Sequence, residues 1–168
     1  ALFEGNYSYQ KAPHFYKAGV RFLPLWLQDE LYRLQYSVYA QVGYNFRQLL
    51  SASLQYSMGE TDNKVNDLLD TRNDSYQISF VFNLGTHKPQ LVFMHTQEQG
   101  KQSDSNSRRV NHWQYRHQWA LSRNWRIAGQ FGYQHFNYHA QHPFFREVRR
   151  DNMKSASVSA RYIYDKDL

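Results

Sequence analysis

The sequence predicts an all-β fold: an antiparallel up-and-down β-barrel with strands long enough to span a bilayer. Three observations lead there. Hydrophobicity alternates with a period of two, the pattern of a strand with one greasy and one polar face. The alternation also outlasts an ordinary strand. From Tyr32 the even positions read Tyr32, Leu34, Tyr36, Val38, Ala40, Val42, Tyr44 and Phe46, and the odd ones Arg33, Gln35, Ser37, Tyr39, Gln41, Gly43 and Asn45. A typical strand runs about five or six residues, whereas a tilted bilayer span takes about 9–11. Finally, aromatic residues make up 17% of the chain although the mean hydropathy is −0.82. A transmembrane barrel reconciles the two, because only alternate residues meet lipid.

Nine strands are expected, over 2–10, 14–25, 31–46, 48–58, 74–85, 89–98, 111–122, 125–138 and 151–164. The first sets Phe3, Tyr7 and Tyr9 against Glu4, Asn6 and Ser8, and the second sets Tyr16, Ala18, Val20 and Phe22 against Lys17, Gly19 and Arg21. The third is the long run above. The fourth opposes Leu50, Ala52, Leu54, Tyr56 and Met58 to Ser51, Ser53, Gln55 and Ser57; the fifth opposes Tyr76, Ile78, Phe80 and Phe82 to Ser75, Gln77 and Ser79. The sixth, with Leu91, Val92, Phe93 and Met94 in a row, is apolar on both faces and gives no parity. The seventh opposes Trp113, Tyr115 and Trp119 to Gln114, Arg116 and Gln118, and the last opposes Ala156, Val158, Ala160 and Tyr162 to Ser155, Ser157, Ser159 and Arg161. A water-soluble sandwich also alternates, but its core is about 10 Å thick and needs no strands of this length. Aromatics such as Tyr9, Tyr44, Phe46, Trp125, Tyr162 and Tyr164 gather near strand ends, as interfacial girdles do.

The two parities differ in charge. Lys17, Arg21, Arg33, Arg116, Arg126 and Arg161 fall on the polar side and are the candidate lumen-lining residues. Tyr36, Val38, Phe80, Phe82, Trp113, Trp119, Val158 and Tyr162 fall on the candidate lipid-facing side. Of the acids only Glu4 is expected inside a strand; Glu30, Glu60, Asp62, Asp74, Glu98, Asp151 and the rest read as turns, loops or strand ends. With a formal net charge of +6, a wall lined by guanidinium groups favours anions over cations and offers carboxylates and phosphates a planar fork. The plainer alternative is that these charges pair with a plug, a loop or other strands.

Other chemistries find little support. The chain has no cysteine, so neither a disulfide framework nor a thiolate metal site is available. Its eight His residues follow no zinc spacing, so no metal and no cofactor are expected. His135, His139 and His142 cluster near a loop. His117 has lipid-facing parity among Trp113, Tyr115 and Trp119, where a polar ring is costly without a partner. A lipid-acting barrel enzyme would need Ser two positions after it, and Trp119 stands there. A rim protease would need Asp70, Asp74 and His139 to meet. No catalytic residue is expected, and the chain is read as not an enzyme. Nucleic acid is not an expected partner either, because stacking platforms need aromatics and cations on one face and parity here separates them.

The alternation and the paired turns resemble a Gram-negative outer-membrane β-barrel over nearly the whole chain. The stretch Phe145-Arg146-Glu147-Val148-Arg149-Arg150-Asp151, followed by Ser155 to Tyr162, looks like something narrower. Large porin-like barrels, and those linked to tetratricopeptide domains (surface lipoprotein assembly modifiers, exopolysaccharide exporters), often enter a late strand through Arg-x-Asp. Two departures stand out: the chain ends on Asp165-Lys166-Asp167-Leu168 rather than on a strand closing in Phe, and the strand count is odd where such barrels are usually even. The chain is therefore expected to be a single β-barrel domain over residues 1–168 or part of one, completed by strands elsewhere; the alternatives are a miscounted strand or completion by other chains.

The resemblance implies residence in the bacterial outer membrane, with short periplasmic turns and longer outer loops near 60–74, 97–111 and 139–151. Only the connection near Gln28–Glu30 breaks that pattern. The implied partners are the lipid bilayer and lipopolysaccharide, the latter met by Arg108, Arg109, Arg149 and Arg150 in outer loops. The implied function is a channel or export conduit for an anionic solute or polymer. The alternatives are a translocon or scaffold that engages a partner protein and, third, a lipid- or peptide-acting barrel enzyme.

Overall fold

The computed structural model describes residues 3–27, 30–104, 107–141 and 148–164. They form one nine-stranded antiparallel sheet in strict sequence order. The strands are β1 (Phe3–Lys11), β2 (His14–Leu27), β3 (Glu30–Phe46), β4 (Leu50–Asn63), β5 (Thr71–Phe82), β6 (His87–Gly100), β7 (Arg108–Ala120), β8 (Trp125–Gln141) and β9 (Val148–Tyr162). The only helical element among them is a single 3-10 turn, Asp67–Leu69, between β4 and β5. No described helix is long and apolar enough to cross a membrane, a statement that does not bear on strands. This is the all-β up-and-down architecture that the alternation predicts. The sheet is open, with β1 and β9 as its two edges.

Register carries the parity from strand to strand. Val20 lies opposite Val38, and Val38 opposite Met58. Ile78 lies opposite Phe93, Phe93 opposite Trp113, and Trp113 opposite Tyr133. Directly opposed residues share a face, so these pairs fix the side of every strand, β6 included. Leu91 and Phe93 join the aromatic face, while Val92 lies opposite Ser79 and Gln114 on the polar one.

The sheet curls toward its polar face. Arg33 and Gln35 of β3 and Tyr138 of β8 line one cavity of about 380 Å³. Five strand intervals in a flat sheet would separate them by roughly 24 Å, so only strong curvature brings them together. Burial agrees: Tyr39 on the polar face is 4% exposed, whereas Val38 beside it on the other face is 47% exposed and Val158 82%. The polar face is thus concave and the aromatic face turns outward.

The strands run further than hydropathy alone indicates. Glu60 and Asp62 lie in β4, Asp74 in β5, Glu98 in β6, Asp151 in β9 and Glu30 at the start of β3, so the expectation that only Glu4 sits within a strand is wrong. Charged residues end a hydrophobic pattern without ending hydrogen-bond pairing. The connections expected near 60–74 and 97–111 accordingly shrink to residues 64–70 and 101–107. At the opposite, turn end the hairpins are tight. Arg47 (φ 45°) and Gln48 (φ 62°) hold left-handed conformations while Leu49 N–H donates to Phe46 O at 2.9 Å. Two positive-φ central residues give a hairpin turn that matches strand twist. The connections expected near Gln28 and after Gln141 fall on residues outside the described ones.

Candidate functional site

The concave face carries the chemistry. At the β1–β3 side, the Tyr39 hydroxyl donates to Glu4 Oε1 at 2.7 Å. Arg21 lies over the same ring at 4.3 Å and Lys17 at 5.6 Å. Both cations also face Glu4, Lys17 Nζ at 3.6 Å and Arg21 Nε at 3.7 Å. One carboxylate and one aromatic ring thus hold two cations in place on the wall. The backbone makes room for the phenol: a Cβ at Gly19, directly across from Tyr39, would lie 2.8 Å from its hydroxyl and 2.6 Å from Gly5 O. Two same-face pairs toward the turn end, the tip of the Phe15 ring covers Gly43, where a Cβ would sit 2.0 Å from Cζ. Further across, the wall is neutral and hydrogen-bonded, Gln41 donating to Ser53 at 3.0 Å and Ser53 lying 2.8 Å from Ser79.

At the β7–β9 side, cations outnumber acids. Arg116 donates to Gln130 at 3.1 Å. Arg126 lies directly opposite Arg161, with no carboxylate on either among the described residues. Lys88, opposite Gln118, shares this face. Toward the loop end, Arg108 binds Glu98 at 2.5 Å and lies over the Phe136 and Tyr138 rings. Arg149 binds Asp151 at 2.6 Å and lies 5.0 Å from the Tyr138 ring. The Arg-x-Asp sequence is thus an i, i+2 ion pair on one face of a strand. Arg108 and Arg149 were expected in outer loops; they lie instead in β7 and β9 and face inward, while Arg109 and Arg150, one residue on, face outward.

All six candidate lumen residues therefore share the concave face, in three groups. Lys17 and Arg21 gather on Tyr39. Arg116, Arg126 and Arg161 spread over β7–β9. Arg33 stands apart in the loop-end cavity. Sequence reading missed Lys88, Arg108 and Arg149; extending the parity of β7 and β9 into their charged ends would have found the two arginines, whereas β6 has no parity to extend and Lys88 is placed only by its register with Gln118.

The eight candidate lipid-facing residues, Tyr36, Val38, Phe80, Phe82, Trp113, Trp119, Val158 and Tyr162, all share the outward face. Near the turn end it carries His14–Tyr44 and Trp125–Tyr162 ring pairs at 5.0 and 5.1 Å. Toward the loop end Tyr56 and Tyr76 pair at 4.9 Å, and the Tyr56 hydroxyl donates to Asp74 at 2.9 Å. Beyond them the face turns polar. Lys101 Nζ meets Asp62 and Glu60, each at 2.7 Å, and Tyr36 donates to Glu60 at 2.5 Å. Those bonds, first from Asp62 and then from Glu60, hold the Lys101 ammonium above the usual lysine range. Aromatic rims flank an apolar band on the outward face, as interfacial belts do.

Several of the described His residues have side-chain partners on the sheet. His117 does face outward, and it finds two partners: Nε2 lies 3.0 Å from His87 Nδ1 and Nδ1 lies 2.8 Å from the Tyr115 hydroxyl. His87 stacks on Trp119 at 5.3 Å. His135 contacts Asn152 at 2.6 Å, and His142 lies outside the described residues. Asp70 accepts from the Asn63 N–H at 2.6 Å, away from the Tyr56–Asp74 pair. Among the described residues no group of three His, Cys, Asp or Glu is placed to hold a metal ion.

No family model and no curated protein matches the chain. Solved structures do. An anion-selective porin from Comamonas acidovorans is similar at 12% identity with a TM-score of 0.65, over 96% of this chain and 48% of the porin. The in-vitro folded trimer form of OmpT, an outer membrane protein of Vibrio cholerae, is similar at 12% identity with a TM-score of 0.67, over 96% of this chain and 55% of that one. Outer-membrane expressed OmpT gives 13% and 0.66 over the same shares. The chain spans about half the length of the solved structures it resembles. At such identity the likeness shows the fold, which is that of an outer-membrane β-barrel.

Proposed function

We propose that this chain forms wall strands of a bacterial outer-membrane channel whose basic inner face favours anionic solutes. The observation that carries the reading is Arg126 opposite Arg161 on the concave face with no carboxylate partner among the described residues. Like charges directly opposed across a sheet are destabilising, and a mobile counter-anion offsets the repulsion. The outward face, apolar in its middle and aromatic at its rims, suits hydrocarbon. Irregular or unpaired backbone is not tolerated there, so in this reading the edges of β1 and β9 pair with strands beyond those described, of the same or another chain. In this reading Arg109 and Arg150, which face outward near the loop end, meet lipopolysaccharide phosphates.

The test is the reversal potential of the reconstituted protein under a KCl gradient. Selectivity for chloride that weakens or inverts in Arg21→Glu and Arg116→Glu supports the reading. Unchanged selectivity in both variants, in a conducting channel, overturns it.

A further inference from the structure

We propose that the loop-end cavity of the concave face binds a small hydroxylated organic anion of the sugar-acid class. The proposal depends on the channel reading for how such an anion arrives, not for how it is held.

The cavity, about 380 Å³, is within the size range of small-molecule sites. Its charge reads out simply. Arg33, Arg108 and Glu98 all line it, but Arg108 is already neutralised by Glu98 and steadied by the Tyr138 hydroxyl at 3.4 Å. Among the described lining residues one cation, Arg33, is left over. Its Nε is buried and makes no hydrogen bond among the described residues. A buried donor without a partner destabilises the folded protein. A ligand that draws the guanidinium into the cavity relieves that cost while offering the fork a carboxylate, which a guanidinium meets with two parallel hydrogen bonds. The cavity thus wants one negative charge.

The rest of the lining specifies what carries it. Gln35, Thr61, Thr71 and Asn73 contribute amides and hydroxyls from three adjacent strands. Register sets them in rows, Gln35 opposite Thr61 and Thr61 opposite Thr71. Neutral groups that both donate and accept match the hydroxyls of a polyol and add little for a bare inorganic ion. Leu69, brought in by the 3-10 turn whose Asn66 caps Leu68 N–H at 3.0 Å, gives one apolar patch of the kind a sugar ring covers. A single charge beside rows of neutral groups that both donate and accept is the complement of a carboxylated sugar.

The experiment is block of KCl conductance by D-glucuronate in planar bilayers of the full-length protein, with acetate (charge without hydroxyls) and D-glucose (hydroxyls without charge) alongside. Saturable block by glucuronate at concentrations where neither control acts supports the site; equal block by acetate overturns it. Arg33→Lys keeps the charge and removes the fork, and about a tenfold higher half-blocking concentration is expected, since charge-assisted paired bonds are the strong ones. Block unchanged in Arg33→Lys overturns the proposal, because charge alone then suffices. Asn73→Ala, which leaves every cation in place, is expected to weaken block about threefold by losing one neutral hydrogen bond. Heat-modifiable gel mobility verifies folding of each variant. Tighter block by a uronate trimer assigns the source to an acidic polysaccharide and equal block to the free sugar acid; both support the site. Calorimetric titration of glucuronate in micelles separates the two readings. Arg33-dependent binding without conductance removes the channel and leaves the site, whereas conductance without block or binding removes the site alone.

Discussion

The phenol of Tyr39 donates to Glu4 at 2.7 Å across two strand intervals, from β3 to β1. Directly paired residues need only neighbouring strands, so this bond reports curvature as well as chemistry. It also removes one lone pair of the carboxylate that faces Lys17 and Arg21. Tyr39→Phe keeps the ring under Arg21 and deletes the donor. Hydrogen bonds to charged groups are stronger than neutral ones, so a lower midpoint is expected in urea unfolding from lipid vesicles. Tyr39→Ala removes the ring as well and should cost more. Equal stability of wild type and Tyr39→Phe would show that the bond contributes nothing.

Gly43 tests the packing of the turn end. A methyl there would meet the Phe15 ring at 2.0 Å, so Gly43→Ala must displace the ring. Overpacking of this kind costs about 1–3 kcal/mol. Phe15→Ala combined with Gly43→Ala should recover part of that loss, a coupling that a double-mutant cycle measures directly.

Arg126 and Arg161 oppose each other, a repulsion of about 0.2–1 kcal/mol. Arg161→Gln should therefore unfold at slightly higher urea in 10 mM salt. The gain should vanish in 1 M salt, where the Debye length falls to about 3 Å. A gain that persists at high salt would assign the effect to packing rather than charge.

Lys101 gives a pH signature outside the spanning strands. Its folded pKa is raised by Asp62 and Glu60, so its contribution is fully present below the unfolded value of about 10.4 and is lost as pH rises through the higher folded value. Lys101→Met should cost about 1 kcal/mol at neutral pH. The gap between variant and wild type should stay constant to about pH 10 and close above it. A gap that closes between pH 7 and 9 would contradict the assignment.

Much of this wall is legible in the sequence because a sheet's face repeats with a period of two. Parity alone places Val38 outward and Arg33 inward, and the register of β3 with β2 and β4 agrees. Parity fails where both faces are apolar: Leu91 to Met94 gives no side until Phe93 is seen opposite Ile78 and Trp113. Hydropathy fails where a strand leaves its apolar band. Glu60, Asp62, Asp74 and Glu98 read as loop or strand end although they keep their ladder pairing, and with them went the inward orientation of Arg108. The partners of His117 were hidden for a third reason. His87 lies thirty residues away, inside what reads as a turn, and only strand pairing brings it within 3.0 Å.

The central claim is that hydrocarbon covers the outward face, and spin labelling measures it. The chain has no cysteine, so a nitroxide can be attached to a single introduced cysteine at position 38, 80 or 158 and, for comparison, at 157 or 159 in reconstituted vesicles. Replacing Val38, Phe80 or Val158 should give labels that collide readily with oxygen, which concentrates in lipid, and poorly with a polar nickel chelate. Replacing Ser157 or Ser159 should give the reverse. Labels at positions 38, 80 and 158 shielded from both reagents would mean that protein covers that face, and a transmembrane wall would be excluded.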